Sequence, residues 1–565
     1  MKKALFLILF ILGILITQSQ NNYYVAVNGN NSNDGSISNP WLTIQYGVNQ
    51  LAPQDTLFIK AGTYEEKIDI DVSGDETGYI TIRNYQNDAV ILDAINFNNS
   101  DSIIWTDNAY LRIEGLHLTN NIKNNATGLE IQGAAHHIEI INNKISNIRF
   151  SSQANPTVTP SKNAVPLNVW ADQALDSIHN ITIRGNEVFN NQTGYSECIT
   201  GGGNFSTFVI EDNIVHDNTN IGIDITGNYG VCSNANYDQG RYGVIRNNEV
   251  YNCDASYSTS AGIYIDGGRD IIIENNRSHH NGYGAEIGCE ENGSTSNITL
   301  RNNVLYQNSD AGISLGGYDD STTGIVLNAT IYGNTFYKND LDNNYNGEIL
   351  LTKLDNCEIK NNIFYVSSQN VLLEASRTQN NFIFDYNVMY HDAANGDLVV
   401  ETANGSYDDL TSYYNASGQG VHSLFGDPLF VDSSAADFHI SEGSIAIDAG
   451  DPSYILADGE VDMDHQNRMY NTIDCGADEY NSSLSINNYA LNITIAPNPT
   501  HNIITINHLT DILDYEIYSI YGSIISKGKV RSNQIDLSKL KKGIYILNLI
   551  NPHKKQCYTE KIIKY

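Results

Sequence analysis

GIYIDGGRDIIIENNRSH, residues 262–279, decides the fold. Ile263 and Ile265 alternate with Tyr264 and Asp266, the period of a strand that buries one face and leaves the other outward. Two glycines end that strand, and IENNRSH (273–279) follows, a second short strand closed by asparagine. The closing phrase recurs along the chain: IINNKI (140–145), IRGNEVF (183–189), IEDNIVH (210–216), IRNNEVY (245–251), LRNNVLY (300–306), IYGNTFY (331–337), IKNNIFY (359–365) and FDYNVMY (384–390). The opening strand recurs as well, in GIDITG (222–227), GAEIGCE (284–290) and GISLGG (312–317).

Two to three short strands per repeat, a spacing mostly of about 25 to 35 residues, and Gly or Asn at the corners predict an all-β fold, a right-handed parallel β-helix. A single rung buries one face only, so it needs neighbours above and below. Stacked rungs turn inward Ile, Val and Leu into one continuous core. Asparagine tolerates left-handed backbone at a bend, and its amide bonds to the asparagine one rung away. A leucine-rich repeat would need a strict short period and a propeller longer, more uniform blades; neither is present.

Aligned on their glycines, the opening strands point Ile223, Ile225, Ile263, Ile265, Ala285, Ile287, Ile313 and Leu315 inward. One outward column then reads Asp224, Tyr264, Glu286, Ser314, and the next Thr226, Asp266, Gly288, Gly316. Rungs stack about 4.8 Å apart, which sets Asp266 roughly 8 Å from Asp224 and Glu286 along the diagonals. Like charges so close repel, and a bound cation, a raised carboxyl pKa or an arginine such as Arg269 or Arg241 relieves them. Each of these acids taken alone reads as part of a solvated face; the cluster over three rungs marks a site. Gly201 to Gly203, Gly267, Gly268, Gly288, Gly316 and Gly317 leave its wall without bulk, a flat groove edged by Trp170, Tyr229, Tyr264 and Tyr318 that suits a sugar chain. Glu197 and Glu290 flank it. His279 and His280 read as bend residues and Lys353 as a solvated lysine. Two longer intervals between repeats hold insertions, 150–173 and 227–243, which in a solenoid become loops on the binding face.

The ends of the chain differ from its middle. Lys2, Lys3, an apolar run from Ala4 to Ile16, and Gln18-Ser19-Gln20 read as a signal peptide over 1–20, and no segment is long enough to span a membrane. The β-helix is expected over 21–482, a linker over 483–490 and a small β-sandwich over 491–565, where lysines outnumber acids roughly two to one. The whole chain carries a net charge of −34, which disfavours nucleic acid as a partner and suits an extracellular protein that binds divalent metal. Its seven cysteines are scattered and lack a CxxC pair, against a zinc ribbon or a disulfide-dense scaffold.

Three segments resemble known families. YYVAVNGNNSNDGSISNPWLTIQYGVNQLAPQDTLFIKAGTYEEKI (23–68) resembles the first rungs and cap of secreted β-helix carbohydrate-active enzymes, with Gln54 where glycine is usual before Asp55-Thr56. FGDPLFVD, DFHISEGSIAIDAGDP and IDCGADEY, within 425–480, look like the closing rungs and C-terminal cap of such proteins. The tail, with APNPT, SIYGSII, IDLSKLKKGIYIL and KIIKY, resembles the C-terminal sorting domain of the type IX secretion system of Bacteroidota, which implies export to the surface or medium with that machinery as partner.

The leading functional expectation is glycosidic-bond hydrolysis of a polysaccharide by Asp266 and Glu286, with Asp224 tuning pKa or holding substrate and Tyr264, Arg269, Arg241, Trp170, Tyr318 and Glu197 binding it. GIYID followed one rung later by an outward Glu looks like the acid placement of some β-helix glycoside hydrolases, the β-xylosidase type among them, although the Glu offset departs from that family's register. The second expectation is a uronate polysaccharide lyase of the pectate or alginate type, with calcium on Asp224, Asp266, Glu286 and Glu290 and Arg269 or Arg241 as base; the lysine signature and DDG motif of the β-helix pectate lyases are not found. The third is a non-catalytic glycan binder on the same scaffold.

Overall fold

The structure is a computed structural model. It describes residues 20–99, 102–317, 321–375, 377, 379–392, 398–481, 494–507, 513–519, 524–530, 533–551 and 556–565. The expected signal peptide and linker fall outside these residues, apart from Gln20. The chain divides into two compact units, Met1–Tyr480 and Asn481–Tyr565.

The first unit is a parallel β-helix of three sheets, one of 15 strands and two of 13. Each rung contributes one strand to each sheet, as in Ala261–Asp266, Arg269–Glu274 and Arg277–His279, before Tyr283–Gly288 opens the next rung. The recurring phrase is therefore the end of one strand, a corner and a separate strand. Ile263, Ile265, Ile271, Ile273 and their counterparts above and below are at most 2% exposed and form one continuous core.

The asparagine pairs divide their work between two positions. The first residue takes the left-handed bend: φ is 53° at Asn142, 56° at Asn247, 55° at Asn275 and 59° at Asn361, with glycine there at 185 and 333. The second joins a buried ladder. Asn143, Asn186, Asn213, Asn248, Asn276, Asn303, Asn334 and Asn362 each donate the backbone N–H and Nδ2 to Oδ1 of the asparagine one rung on, ending at Asn387, at 2.9–3.2 Å. Asn276 also donates to Ile245 O at 2.9 Å. Asn276→Ala strips a partner from Ile245 O, from Asn248 N–H and from Asn248 Nδ2, the last of which keeps its bond to Ile210 O, in a site 1% exposed. At about 1–3 kcal/mol per unsatisfied buried group, a loss of roughly 3–5 kcal/mol is expected, read as a lower denaturation midpoint; an unchanged midpoint would show that the ladder is dispensable.

The N-terminal cap carries the helix Ile44–Val48, whose Thr43 side chain accepts from Tyr46 N–H. Gln54 has φ 75°, which explains why glycine is usual at that place in the resembling enzymes. At the other end, the helix Leu410–Ser417 packs Tyr413, 4% exposed, against the core.

Phe425 still pairs with Met389 at the end of one sheet, but contrary to the sequence-based expectation the described residues after it add no strand to the three sheets. The segment 425–480 runs back along the flank of the solenoid. Gly476 N–H donates to Asn361 O at 2.9 Å, Ala477 N–H to Thr335 Oγ1 at 3.0 Å, Asn302 Nδ2 to Val461 O at 2.9 Å and Arg277 to Ala436 O at 3.0 Å. Phe438 seats against Tyr306 and Tyr337, and the fully buried Arg468 reaches Asn302 Oδ1 at 2.8 Å and Glu479 at 2.8 Å. The segment that resembles closing rungs and a cap is a strap laid over aromatic side chains.

Cys198, Cys232, Cys253, Cys289, Cys357 and Cys475 are unpaired and buried. The second unit has a three-stranded and a four-stranded antiparallel sheet around Ile504, Ile506, Ile517, Leu547, Leu549 and Ile562, as expected of a small sandwich.

Candidate functional site

Neighbouring strands of one 13-stranded sheet set the site: Ile199–Gly203, Ile223–Thr226, Ala261–Asp266, Tyr283–Gly288 and Ala311–Leu315. Their pairing puts Thr200, Asp224, Tyr264, Glu286 and Ser314 in one column, and Thr226, Asp266 and Gly288 in the next. These are the outward columns of the alternation. The outward side is recessed, however, and the flat groove expected from the glycines is replaced by a walled, partly open cavity. Asp224 and Asp266 are each 2% exposed and Tyr264 3%.

The walls come from loops that the strand pattern does not describe. The turn before Ile199 brings Tyr195 and Glu197, the 227–243 insertion brings Tyr229 and Val231, and the turn after Gly288 brings Cys289 and Glu290. They enclose about 700 Å³ floored by Asp224, Tyr264, Asp266 and Glu286, with Trp170 at the side. Gly288 has a steric reason to be glycine: a Cβ there would come 2.9 Å from the Tyr264 hydroxyl. Gly267 turns the chain out of the strand at φ 86°.

Five carboxyl groups face this space, those of Glu197, Asp224, Asp266, Glu286 and Glu290, and no Lys, Arg or His is among the described lining residues. Asp266 is the one whose two oxygens both accept hydrogen bonds: Oδ1 from Glu290 N–H at 2.7 Å, Oδ2 from the Tyr229 hydroxyl. The same hydroxyl lies 3.3 Å from Glu290 Oε2. Asp224 Oδ1 is buried with no hydrogen-bond partner.

Burial raises every one of these acids, and for all but Glu290 so does repulsion from the others. Burial, then the Glu290 charge, lifts Asp266 to about 7, while the Tyr229 and Glu290 N–H bonds pull the other way. Glu197 is lifted to about 8 by burial, with Asp266 and Glu290 adding to it. Burial drives Asp224 well above the carboxylate range, and Glu197, Asp266, Glu290 and Glu286 drive it further. Glu286 is likewise raised well above, by burial first and then Glu290 and Asp266. Among the three acids of the outward columns, Asp266, with two donors, is thus the one best able to carry a negative charge, and Asp224 and Glu286 are the proton holders.

Of the residues singled out in the sequence, the structure brings together Asp224, Asp266, Glu286, Glu197, Glu290, Tyr264 and Trp170. Arg241 and Arg269 are not with them. Both belong to the adjoining sheet, where alternation faces them elsewhere. Arg241 donates to Asn204 Oδ1 at 2.7 Å and to the carbonyls of Tyr237 and Gln239, and stacks on the Tyr237 ring. Arg269 pairs with Asp270 at 2.6 Å and lies over the Tyr242 ring. Tyr318 lies outside the described residues. Lys353 donates to Thr323 O at 2.8 Å. Tyr195 and Tyr283 were not foreseen; Tyr283 sits where its strand enters the sheet, before alternation takes hold, and packs with Ile221, Ala261, Tyr264 and Ala311.

Asp224, Asp266, Glu286 and Glu290, on which a calcium ion is expected, line one cavity without bringing three ligand atoms within 4.8 Å of one another. Among the described residues, three His, Cys, Asp or Glu ligand atoms come within 4.8 Å of one another at His439, Asp464 and Asp478, outside the cavity.

Compared with known proteins, residues 23–228 match the Pel9A-like right-handed β-helix region and residues 180–336 the right-handed β-helix region. Residues 494–565 match the secretion system C-terminal sorting domain, which directs the chain through type IX secretion to the cell surface or the medium. The protein YwoF of Bacillus subtilis (strain 168) is 31% identical over 446 residues, 75% of this chain and 91% of that protein. Among solved structures, pectate lyase Pel9A is 17% identical with a TM-score of 0.42, over 82% of this chain and 97% of that one. The GH136 lacto-N-biosidase from Eubacterium ramulus is 16% identical with a TM-score of 0.43, over 68% and 67%.

Proposed function

The chain belongs to the right-handed β-helix family that includes YwoF, and on that scaffold we propose that it hydrolyses glycosidic bonds of an extracellular glycan. One observation supports the reading: an aromatic cavity whose described lining holds five acids and no Lys, Arg or His, in which Asp266 has a hydrogen-bond donor on each oxygen while burial drives Asp224 and Glu286 toward the protonated form. Glycoside hydrolysis needs that division of labour, one carboxylic acid to protonate the leaving oxygen and one carboxylate to attack or to activate water. Glu286 is the acid and Asp266 the carboxylate. Asp224, protonated between them and Glu197, is a donor for a sugar hydroxyl. Trp170, Tyr195, Tyr229 and Tyr264 offer ring faces to the pyranose.

A uronate lyase fits less well. It needs a base and a means of neutralising the substrate's carboxylate, and Arg241 and Arg269 are committed elsewhere. No Lys, Arg or His among the described lining residues faces the cavity to neutralise a uronate. A glycan binder would gain nothing from burying carboxyls at this cost.

The test is a panel of plant and algal polysaccharides incubated with the full chain. Reducing ends are expected to rise on neutral glycans with no near-ultraviolet absorbance from an unsaturated product. That absorbance would make it a lyase; retention on glycan gels with unchanged chain length would make it a binder.

A further inference from the structure

The flank segment 425–480 gathers a second polar cluster, unrelated to the cavity. His439 comes from the strand Asp437–Ile440, Asp464 from a turn and Asp478 from the end of the segment, and their ligand atoms lie within 4.8 Å of one another. Met463 N–H donates to Ala477 O at 2.9 Å, which lays the turn against the residue before Asp478. His439 Nε2 is 2.6 Å from Asp464 Oδ2, and its Nδ1 is 2.5 Å from Asp437 Oδ1. Asp478 Oδ2 accepts Ile440 N–H at 2.8 Å, which fixes that carboxyl.

A separate observation points to a missing ligand. Asp462 is 1% exposed. Its Oδ1 accepts the N–H groups of Asp464 and Gln466 at 2.9 and 2.8 Å, whereas its Oδ2 is buried without any hydrogen-bond partner. Asp462 is close enough for its charge to act on both Asp464 and Asp478. Three carboxylates, Asp437, Asp464 and Asp478, thus act on one imidazole, and Asp462, which the charge of Arg468 also reaches, acts on Asp464 and Asp478. A protonated imidazole supplies a single positive charge and no donor for Asp462 Oδ2.

We propose that His439, Asp464 and Asp478, with Asp462 beside them, bind a first-row divalent cation, zinc or manganese, that pins the flank segment in place. An imidazole together with carboxylates suits those ions, whereas calcium prefers oxygen ligands throughout. Asp437 has the supporting part: a carboxylate on Nδ1–H fixes the tautomer and turns Nε2 toward the metal. The ion ties residues 439, 464 and 478 together, three points of a strap that otherwise holds to the solenoid through side chains and scattered backbone bonds.

The experiment strips the full chain with a chelator and returns zinc, manganese or calcium singly, measuring retained metal by elemental analysis and Tm by calorimetry. One equivalent of zinc or manganese is expected, with Tm raised by several degrees. Asp464→Asn and Asp478→Asn are expected to lose both the equivalent and the Tm response, and Asp437→Asn to bind about 10- to 100-fold more weakly. X-ray absorption of the zinc-loaded wild type, which needs no variant to fold, is expected to show one imidazole among oxygen ligands. Absence of retained metal, retention undiminished in Asp464→Asn and Asp478→Asn, preference for calcium or an all-oxygen shell would each overturn the proposal.

Discussion

Asp266→Asn is expected to lower kcat on a glycan substrate by about 10³-fold or more, and Glu286→Gln by about 10²- to 10⁴-fold, the range that a positioned acid or base contributes. The two losses should differ in kind. Asp266 accepts the Tyr229 hydroxyl and the Glu290 N–H, bonds that favour its ionised form, so its removal deletes the group that attacks or activates water. Glu286 has burial and like charges around it and stays protonated, so its removal deletes the proton for the leaving group. A substrate with an activated aryl leaving group needs no such proton; on it Glu286→Gln should recover most of its rate, and Asp266→Asn should not. For the wild type, kcat/KM should climb as pH rises through about 7, where Asp266 loses its proton, and fall again at higher pH as Glu286 loses its own. The Glu286→Gln profile should lack the alkaline limb. An Asp266→Asn enzyme within about tenfold of wild type would remove Asp266 from the mechanism.

The same acids should cost stability, with a definite sign. A carboxyl whose pKa is higher in the folded chain than in the unfolded one keeps its proton when the unfolded chain has lost it. Stability then falls as pH rises through that interval. For Asp266 the interval runs from 3.8 to about 7, and for Glu197 from 4.5 to about 8. The Asp266 shift alone corresponds to a penalty on the order of 4 kcal/mol at pH 8 relative to pH 4. Asp224 has the same sign and no hydrogen bond on Oδ1 to offset it. Asp224→Asn is therefore expected to raise the denaturation midpoint at pH 8 and to raise it less at pH 4, where the unfolded chain has regained much of its proton. The readout is the difference between variant and wild type at the two pH values, which cancels the titration of acids elsewhere. A variant less stable than wild type at pH 8 would mean that Asp224 has a structural partner and is no stored cost. Function bought with stability in this way is common at catalytic sites.

Residue by residue, the sequence goes far and then stops. Alternation alone assigns Ile263 and Ile265 to the core and Asp224, Tyr264 and Glu286 to one column, and the register agrees at each position. The asparagine phrases announce the ladder, although the sharing of bend and ladder between Asn275 and Asn276 becomes visible through their φ angles and bonds. Arg241 and Arg269 were misassigned because nearness in sequence was taken for nearness in space. A solenoid strand two residues past a corner belongs to another sheet and faces another way.

The sequence by itself determined that this chain is a stack of rungs with a sorting domain behind it, and which side chains of each rung point in or out. Those follow from rules of short reach: a period of two along a strand, and one rung resting on the next. Only the tertiary structure decided that the outward acids stand in a walled cavity, that Tyr229 closes on Asp266, and that residues 425–480 lie along the flank and bring His439 to Asp464 and Asp478. Loops and straps follow no period. Where they settle depends on which surface they can bury against across tens of residues of chain, and that is fixed when the whole molecule has folded.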